Sequence, residues 1–394
     1  MVSMALRNSF NATYLRESLW LTPFILIGLL SLGLLRPLPH LAPPAHSRTV
    51  MGSDGVSVQI ALPFRGIAIA PPISVGSYLE DSRTPQLLEY AGDSKVRQDF
   101  SKSLMSQLYP EVLSNDRLWR SGVFQKSTSP YIELESLLAY DPSVYLGCGG
   151  SQALMRSIGL PVLSIWGSCG GQQKPIACPG SPVHARWSYY SEGVFYIQLR
   201  VNSDLIGHPE LADARIASYC RIIADLEKEL QPQTLAYRPR VLMAGQYKGD
   251  FSRTGIIDAE SERKIPGDDA ESVLIMDPDM IFINGINASP QEYMNDPRRQ
   301  GLKAVRDRRV YKWEQSNLTV RPAEIRWLAE IAHPDRLQPR VRQLMRDRVR
   351  EEFGYSLSDD QIDQMLHVDE NSDSAGTQRF TRNYSAENQQ DLTR

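Results

Sequence analysis

Apolar residues along this chain follow three patterns, and each predicts a different element. Short apolar runs bounded by Gly, Pro, Asp or Asn read as buried strands. They fall at residues 144–146, 161–165, 241–244, 280–283 and 309–313, with two shorter runs inside 56–70. Residues 194–201 form a further strand-like run, readable as a strand or as part of a hairpin or loop. The second pattern is helical. From 209 to 230 the apolar positions Ala212, Ile216, Tyr219, Ile223, Leu226 and Leu230 are spaced 4, 3, 4, 3 and 4, one continuous stripe that Leu211 and Ile222 widen. Pro209 suits its first turn and Pro232 lies beyond its end. Shorter helices are expected at 132–138, 151–158, 269–276, 321–332 and 339–353, and in part of 85–118. The third pattern is a single unbroken apolar run at residues 19–35.

Strand and helix alternate twice, on either side of the long helix. Such alternation is the signature of parallel sheets flanked by helices. The expected fold class is therefore α/β, two Rossmann-like three-layer lobes joined by a single long rigid helix. The expected divisions are residues 1–47 as leader or anchor, 48–206 as the N-terminal lobe, 207–233 as the backbone helix and 234–366 as the C-terminal lobe. Residues 367–394, rich in Asn, Ser, Asp and Gln, read as a disordered tail.

The run at 19–35 sets the expected compartment. Arg7, Arg16 and Glu17 precede it and Arg36 follows. With the free amino group the leading segment is net positive, which keeps it cytoplasmic. Two readings stay open. One is a signal peptide cleaved after Ala45-His46-Ser47. The other is an uncleaved anchor, favoured slightly by Arg36, His40 and the four prolines that follow the run. Both place the rest of the chain in the periplasm or otherwise outside the cytoplasm, where disulfides form. Cys169 and Cys178 lie close together in a Gly/Pro-rich stretch and are candidates for a loop staple. Cys148 and Cys220 read as small buried residues.

Composition narrows the chemistry by exclusion. The 394 residues carry 43 Lys+Arg against 46 Asp+Glu, a net charge of −3, without the basic excess of a nucleic-acid binder. There is no Cys-x-x-Cys pair, no P-loop, no Gly-x-Gly-x-x-Gly and no Gly-x-Ser-x-Gly. Of six histidines, only His184 falls near a plausible cleft, so no site for a bare metal ion is expected. In open α/β sheets ligands bind outside the carboxyl ends of the strands. The ligand-binding candidates on that rule are Ser74, Tyr78, Gly149, Trp166 and Tyr190 in the first half. In the second half they are Tyr247, Arg253, Asn284, Trp313 and Arg321. The aromatics suit a planar or apolar chelate and the arginines an anionic group.

The halves also echo each other. Glu135-Ser136-Leu137-Leu138-Ala139-Tyr140-Asp141-Pro142 and Glu271-Ser272-Val273-Leu274-Ile275-Met276-Asp277-Pro278 share the frame Glu-Ser-x-Leu-x-x-Asp-Pro before a strand. With Pro278-Asp279-Met280-Ile281-Phe282, the later Gln300–Val305 and Arg309-Val310-Tyr311 segments, the 321–329 helix and His333-Pro334, this frame resembles one family. It is that of the periplasmic binding proteins that deliver ferric siderophores, cobalamin or haem to ABC importers. The first copy departs by carrying Ser143 where the second has Asp279. The resemblance spans about residues 60–366 and is clearest in the second half. It implies a cleft between the lobes, a metal chelate as ligand (a ferric siderophore foremost), no resident cofactor and no catalysis. It also implies that Glu135 and Glu271, one per lobe, dock on the transmembrane permease subunits, and that the protein is a monomer. Two other readings remain: a chelatase-like metallocofactor enzyme on a similar bilobal fold, and a membrane-anchored receptor without a permease.

Overall fold

The computed structural model describes residues 46–69, 75–90, 94–101, 103–119, 124–126, 129–131, 137, 141–147, 151–165, 192–231, 234–244, 270–283, 289–313 and 321–384. The apolar runs of the first half become β3 (Ile67–Ile69), β7 (Val144–Gly147) and β8 (Val162–Ser164). With β4 (Leu88–Tyr90) they make a sheet in the order β4-β3-β7-β8, every pair parallel. Those of the second half become β9 (Val241–Ala244), β10 (Met280–Ile283) and β11 (Val310–Lys312), parallel in the order β11-β10-β9. Two small sheets pair β1 (Ser47–Met51) with β2 (Ser57–Ala61), and β5 (Phe124–Lys126) antiparallel with β6 (Ser129–Tyr131).

Each main sheet is buried on both faces, which is why its strands read as continuous apolar runs rather than alternating ones. In the first sheet Ile67, Ile69, Val144, Leu146 and Leu163 point into one core, while Ala68, Tyr145 and Val162 point into another. The second sheet divides the same way. Val241, Met243, Met280, Phe282 and Tyr311 face one core; Leu242, Ile281, Ile283 and Val310 face the other. The period of two therefore sorts successive residues into two helix-covered layers, and each lobe has three.

The covering helices of the first half are α1 (Val75–Ser82), α2 (Ser94–Ser101), α3 (Leu104–Leu108), α4 (Pro110–Ser114), α5 (Ser151–Ser157) and α6 (Glu192–Ile206). Then comes the long α7 (Pro209–Leu230). The second half carries α8 (Ala270–Met276), α9 (Pro290–Asn295), α10 (Lys303–Arg306), α11 (Arg321–Ala332), α12 (Val341–Phe353) and α13 (Asp359–Met365). All six stripe residues of α7 are buried, in the main core of the C-terminal lobe. Among the described residues no helix is long and apolar enough to cross a membrane; the run at 19–35 lies outside them.

Three expectations are corrected. The run at 194–201 is not a strand but part of α6. Its Tyr196 and Leu199 enter the C-terminal core, while Ile197, Val201 and Leu205, at helical spacing, enter the N-terminal one. A helix buried on two sides loses the polar stripe that marks a helix in sequence. The long helix consequently does not link the lobes alone. It forms a hairpin with α6, turned at Gly207 (φ +85°), where a side chain would meet the Arg48 guanidinium. Arg48 in turn donates to the Leu205 carbonyl at the end of α6 (3.0 Å).

The tail is the third correction. Residues 367–384 are turns and a short 3-10 helix packed on the C-terminal lobe. Asn371 is buried, and its side chain treats edge strand β11 as a neighbouring strand would. Its Oδ1 accepts from the Lys312 N–H (2.6 Å) and its Nδ2 donates to the Lys312 carbonyl (3.1 Å). The Ala375 N–H donates to the Arg308 carbonyl (2.8 Å), and the Tyr311 hydroxyl to that of Ala375 (2.9 Å). The polar composition that reads as disorder is thus satisfying a sheet edge.

Candidate functional site

The repeated frame returns as repeated geometry. Asp141 and Asp277 both adopt the left-handed backbone, φ 46° and 40°, and each is followed by proline and then a strand. The residue after each proline ties its strand to the neighbouring one. Ser143 Oγ accepts from the Arg65 N–H, and Asp279 Oδ2 from the Arg240 N–H, both at 2.9 Å. The departure in the first copy thus keeps the backbone bond. What Asp279 adds is charge: its carboxylate lies 3.3 Å from Lys303 Nζ and 3.6 Å from Arg240 Nε. The backbone N–H and the Lys303 ammonium hold it below the usual Asp range, against the opposing effect of burial. Arg240 also closes the end of α8, donating to the carbonyls of Met276 (2.9 Å) and Asp277 (2.7 Å).

These braces lie at the amino ends of β7 and β10. At the carboxyl ends the chain leaves the sheets at Ile69, Gly147, Ile165, Ala244, Ile283 and Trp313. Here two side chains that sequence reading missed hold the strand ends. Gln152, buried in the first turn of α5, donates back to the Gly147 carbonyl (2.8 Å). Ser53, in the turn between β1 and β2, meets Ser164 through both hydroxyls (3.0 Å), and its N–H donates to the Ser164 carbonyl (2.7 Å). Neither carries a sequence signal, because each acts on a partner fixed by folding.

Most of the sequence-derived candidates follow these carboxyl ends in chain order. Ser74 follows β3, Gly149 follows β7, Trp166 follows β8 and Tyr190 precedes α6. Tyr247 and Arg253 follow β9, and Asn284 follows β10. All seven lie outside the described residues, as do Glu135, Cys169 and Cys178. Arg321 opens α11 directly after the segment from β11, and Glu271 is the second residue of α8.

Two candidates are corrected by burial. Tyr78 is 0% exposed in the N-terminal core. Its hydroxyl is paired with Thr84 Oγ1 (2.8 Å), and burial pushes the phenol up to about 12. Trp313 is 2% exposed in the C-terminal core. Both read as cleft aromatics only because a core aromatic and a ligand platform look alike in sequence. Cys220 is also corrected: it is disulfide-bonded, not a lone buried thiol, and the chain's three other cysteines all lie outside the described residues.

Among the described residues no group of three or more His, Cys, Asp or Glu is arranged to hold a metal ion. A cavity of about 200 Å³ lies between α12, α13 and the tail rather than at the carboxyl ends of the strands. Its Arg342 and Arg346 are already paired with Asp359, and Arg342 also with Asp363.

No family model and no curated protein sequence matches the chain. Solved structures do. A periplasmic solute-binding protein of Veillonella parvula superposes with a TM-score of 0.63 at 18% identity, over 84% of this chain and 100% of its own. Helicobacter pylori CeuE, solved as a nickel–histidine complex, gives 0.59 at 16% identity over 82% of this chain and 99% of its own. The molybdate-bound Haemophilus influenzae protein MolA, described as the periplasmic binding protein of an ABC transporter, gives 0.59 at 14% over 79% and 99%. At these identities the likeness is one of fold. Two parallel three-layer lobes, a repeated strand-entrance geometry and near-complete coverage of three such structures lead to one conclusion: the chain has the bilobal α/β fold of the periplasmic solute-binding proteins.

Proposed function

We propose that the protein is the extracytoplasmic solute-binding component of an ABC importer. It captures a metal chelate in the cleft at the carboxyl ends of the strands and hands it to a permease. The observation that carries this reading is the fold, spanning nearly the whole length of solute-binding proteins that include one of an ABC transporter. Two of those neighbours hold a nickel–histidine complex and molybdate, which supports a metal-containing cargo here. A disulfide at Cys220 agrees with a compartment outside the cytoplasm. A ferric siderophore is the preferred ligand, with cobalamin or haem next. The Veillonella and Haemophilus neighbours are periplasmic binding proteins rather than enzymes, which supports a binding role without catalysis.

Arg321 is proposed to meet an anionic group of the chelate. It opens α11, where the helix dipole adds to the attraction. The chain's six tryptophans make fluorescence a direct readout. Titration is against ferric hydroxamates, ferric catecholates, ferric citrate, cobalamin, haem and molybdate, with free Fe, Zn and Mn as controls. Saturable quenching by one chelate and none by the free ions is the expected result. Silence across the panel in a folded protein rejects the reading. With the chelate in hand, Arg321→Ala is expected to weaken its binding about tenfold or more without lowering Tm; unchanged affinity removes Arg321 from the site.

A further inference from the structure

Helix α12 belongs by sequence to the C-terminal half, yet its end is built into the N-terminal lobe. Phe353 packs against the main cores of both lobes, and the Arg83 guanidinium lies over its ring at 5.1 Å. The preceding residue, Glu352, is buried and gathers three arginines from three elements. Arg83, just past the end of α1, donates Nη2 to Oε2 at 3.1 Å. Arg215 of α7 places Nε 2.7 Å from the same oxygen. Arg348, one turn back on α12, donates to Oε1.

The cluster continues inward. Arg215 Nη1 lies 3.9 Å from Asp81 Oδ1 on α1. The other Asp81 oxygen accepts from Gln198 (2.9 Å) and Asn202 (2.8 Å), both on α6. Arg348 also donates to Ser218 of α7 (2.9 Å) and to the exposed Glu351 (2.9 Å). Beyond the cluster, Gln361 of α13 meets Gln107 of α3. Four helices that must slide for the lobes to move are therefore pinned at one buried point.

We propose that Glu352 is the clasp of an inter-lobe lock: held by Arg83, Arg215 and Arg348, it fixes α12 against α1 and sets the angle between the lobes. The physical reason is asymmetric. Parting α1 from α12 and α7 takes Arg83 off the buried Glu352 and Asp81 off the buried Arg215, so each keeps one partner fewer in low-dielectric surroundings, which costs more than breaking a surface pair. The α6–α7 hairpin and this clasp then make two connections between the lobes, and two connections oppose hinge motion where one would allow it.

The test measures the distance between nitroxides carried by non-natural residues at Gln98 on α2 and Gln291 on α9, both exposed, in the unliganded full chain. The parent is expected to give one narrow distribution by double electron–electron resonance. Glu352→Gln is expected to widen it about twofold. Glu351→Gln removes only an exposed partner of Arg348 and is expected to leave the distribution as in the parent. Should Glu352→Gln fail to fold, Arg83→Gln decides, because Arg83 is partly exposed and its loss leaves Arg215 and Arg348 on Glu352. A folded Arg83→Gln or Glu352→Gln protein with the parent distribution overturns the lock. Equal broadening in Glu351→Gln overturns it as well.

Discussion

Asp81 shows how far a residue's chemistry depends on where the fold puts it. In sequence it is one of two adjacent carboxylates in Leu-Glu-Asp-Ser-Arg. In the structure it is 3% exposed, and burial raises its carboxyl from the ordinary 3.8 to about 6, against the opposing pull of Arg215, Asn202 and Gln198. The sign follows from linkage. Between about pH 3.8 and 6 the folded chain keeps a proton that the unfolded chain has released. Stability therefore falls as pH rises through that window and is flat above it, by up to about 3 kcal/mol. Asp81→Asn carries no such slope. Its stability relative to the parent is expected to climb by up to about 3 kcal/mol from pH 4 to pH 7 in urea titrations. A difference independent of pH would show that the arginines, not burial, set the charge of Asp81. The paired Asp141 and Asp277 are the contrasting case. Their equivalence was legible, because the Glu-Ser-x-Leu-x-x-Asp-Pro frame repeats residue for residue.

At the scale of elements, legibility tracked how many sides of an element are buried. Helix α7 has one apolar stripe, and its expected bounds and all six stripe positions are those found, with Arg215 buried besides. Helix α6 is buried on two sides and read as a strand. The segment 367–384 failed for the opposite reason. Its burial rests on Asn, Ser and Thr side chains bonding backbone groups, which no hydropathy pattern reports. Removing residues 367–394 takes Phe380 out of the C-terminal core and leaves the Lys312 N–H and carbonyl on an open edge. The truncated chain is expected to lose about 3 kcal/mol or more and to associate with rising concentration, because a bare parallel edge invites another strand. Urea denaturation and light scattering check this; a monomeric chain of unchanged urea midpoint would return the segment to the status of a dispensable tail.

For the whole molecule, the two-lobe α/β architecture was legible because strand–helix alternation and buried-strand runs are local properties repeated along the chain. The partner proposed for it gives a prediction at the same scale. The double change Glu135→Ala with Glu271→Ala is expected to spare chelate binding but to cut uptake about tenfold or more in cells carrying the permease, since two separated charges set register on a symmetric partner. Normal uptake would reject docking by the two glutamates. What the sequence by itself determined is the central strands, the long one-striped helix and their division into two lobes, through periodicities of two and 3.6 that act within a few residues. What only the tertiary structure decided is which polar side chains meet across long separations: Arg83 with Glu352, Asn371 with Lys312, Ser53 with Ser164. It also decided that Tyr78 and Trp313 are core. The reason is that burial and partner choice depend on the packed surroundings, and a residue's own neighbours in the chain carry little information about those.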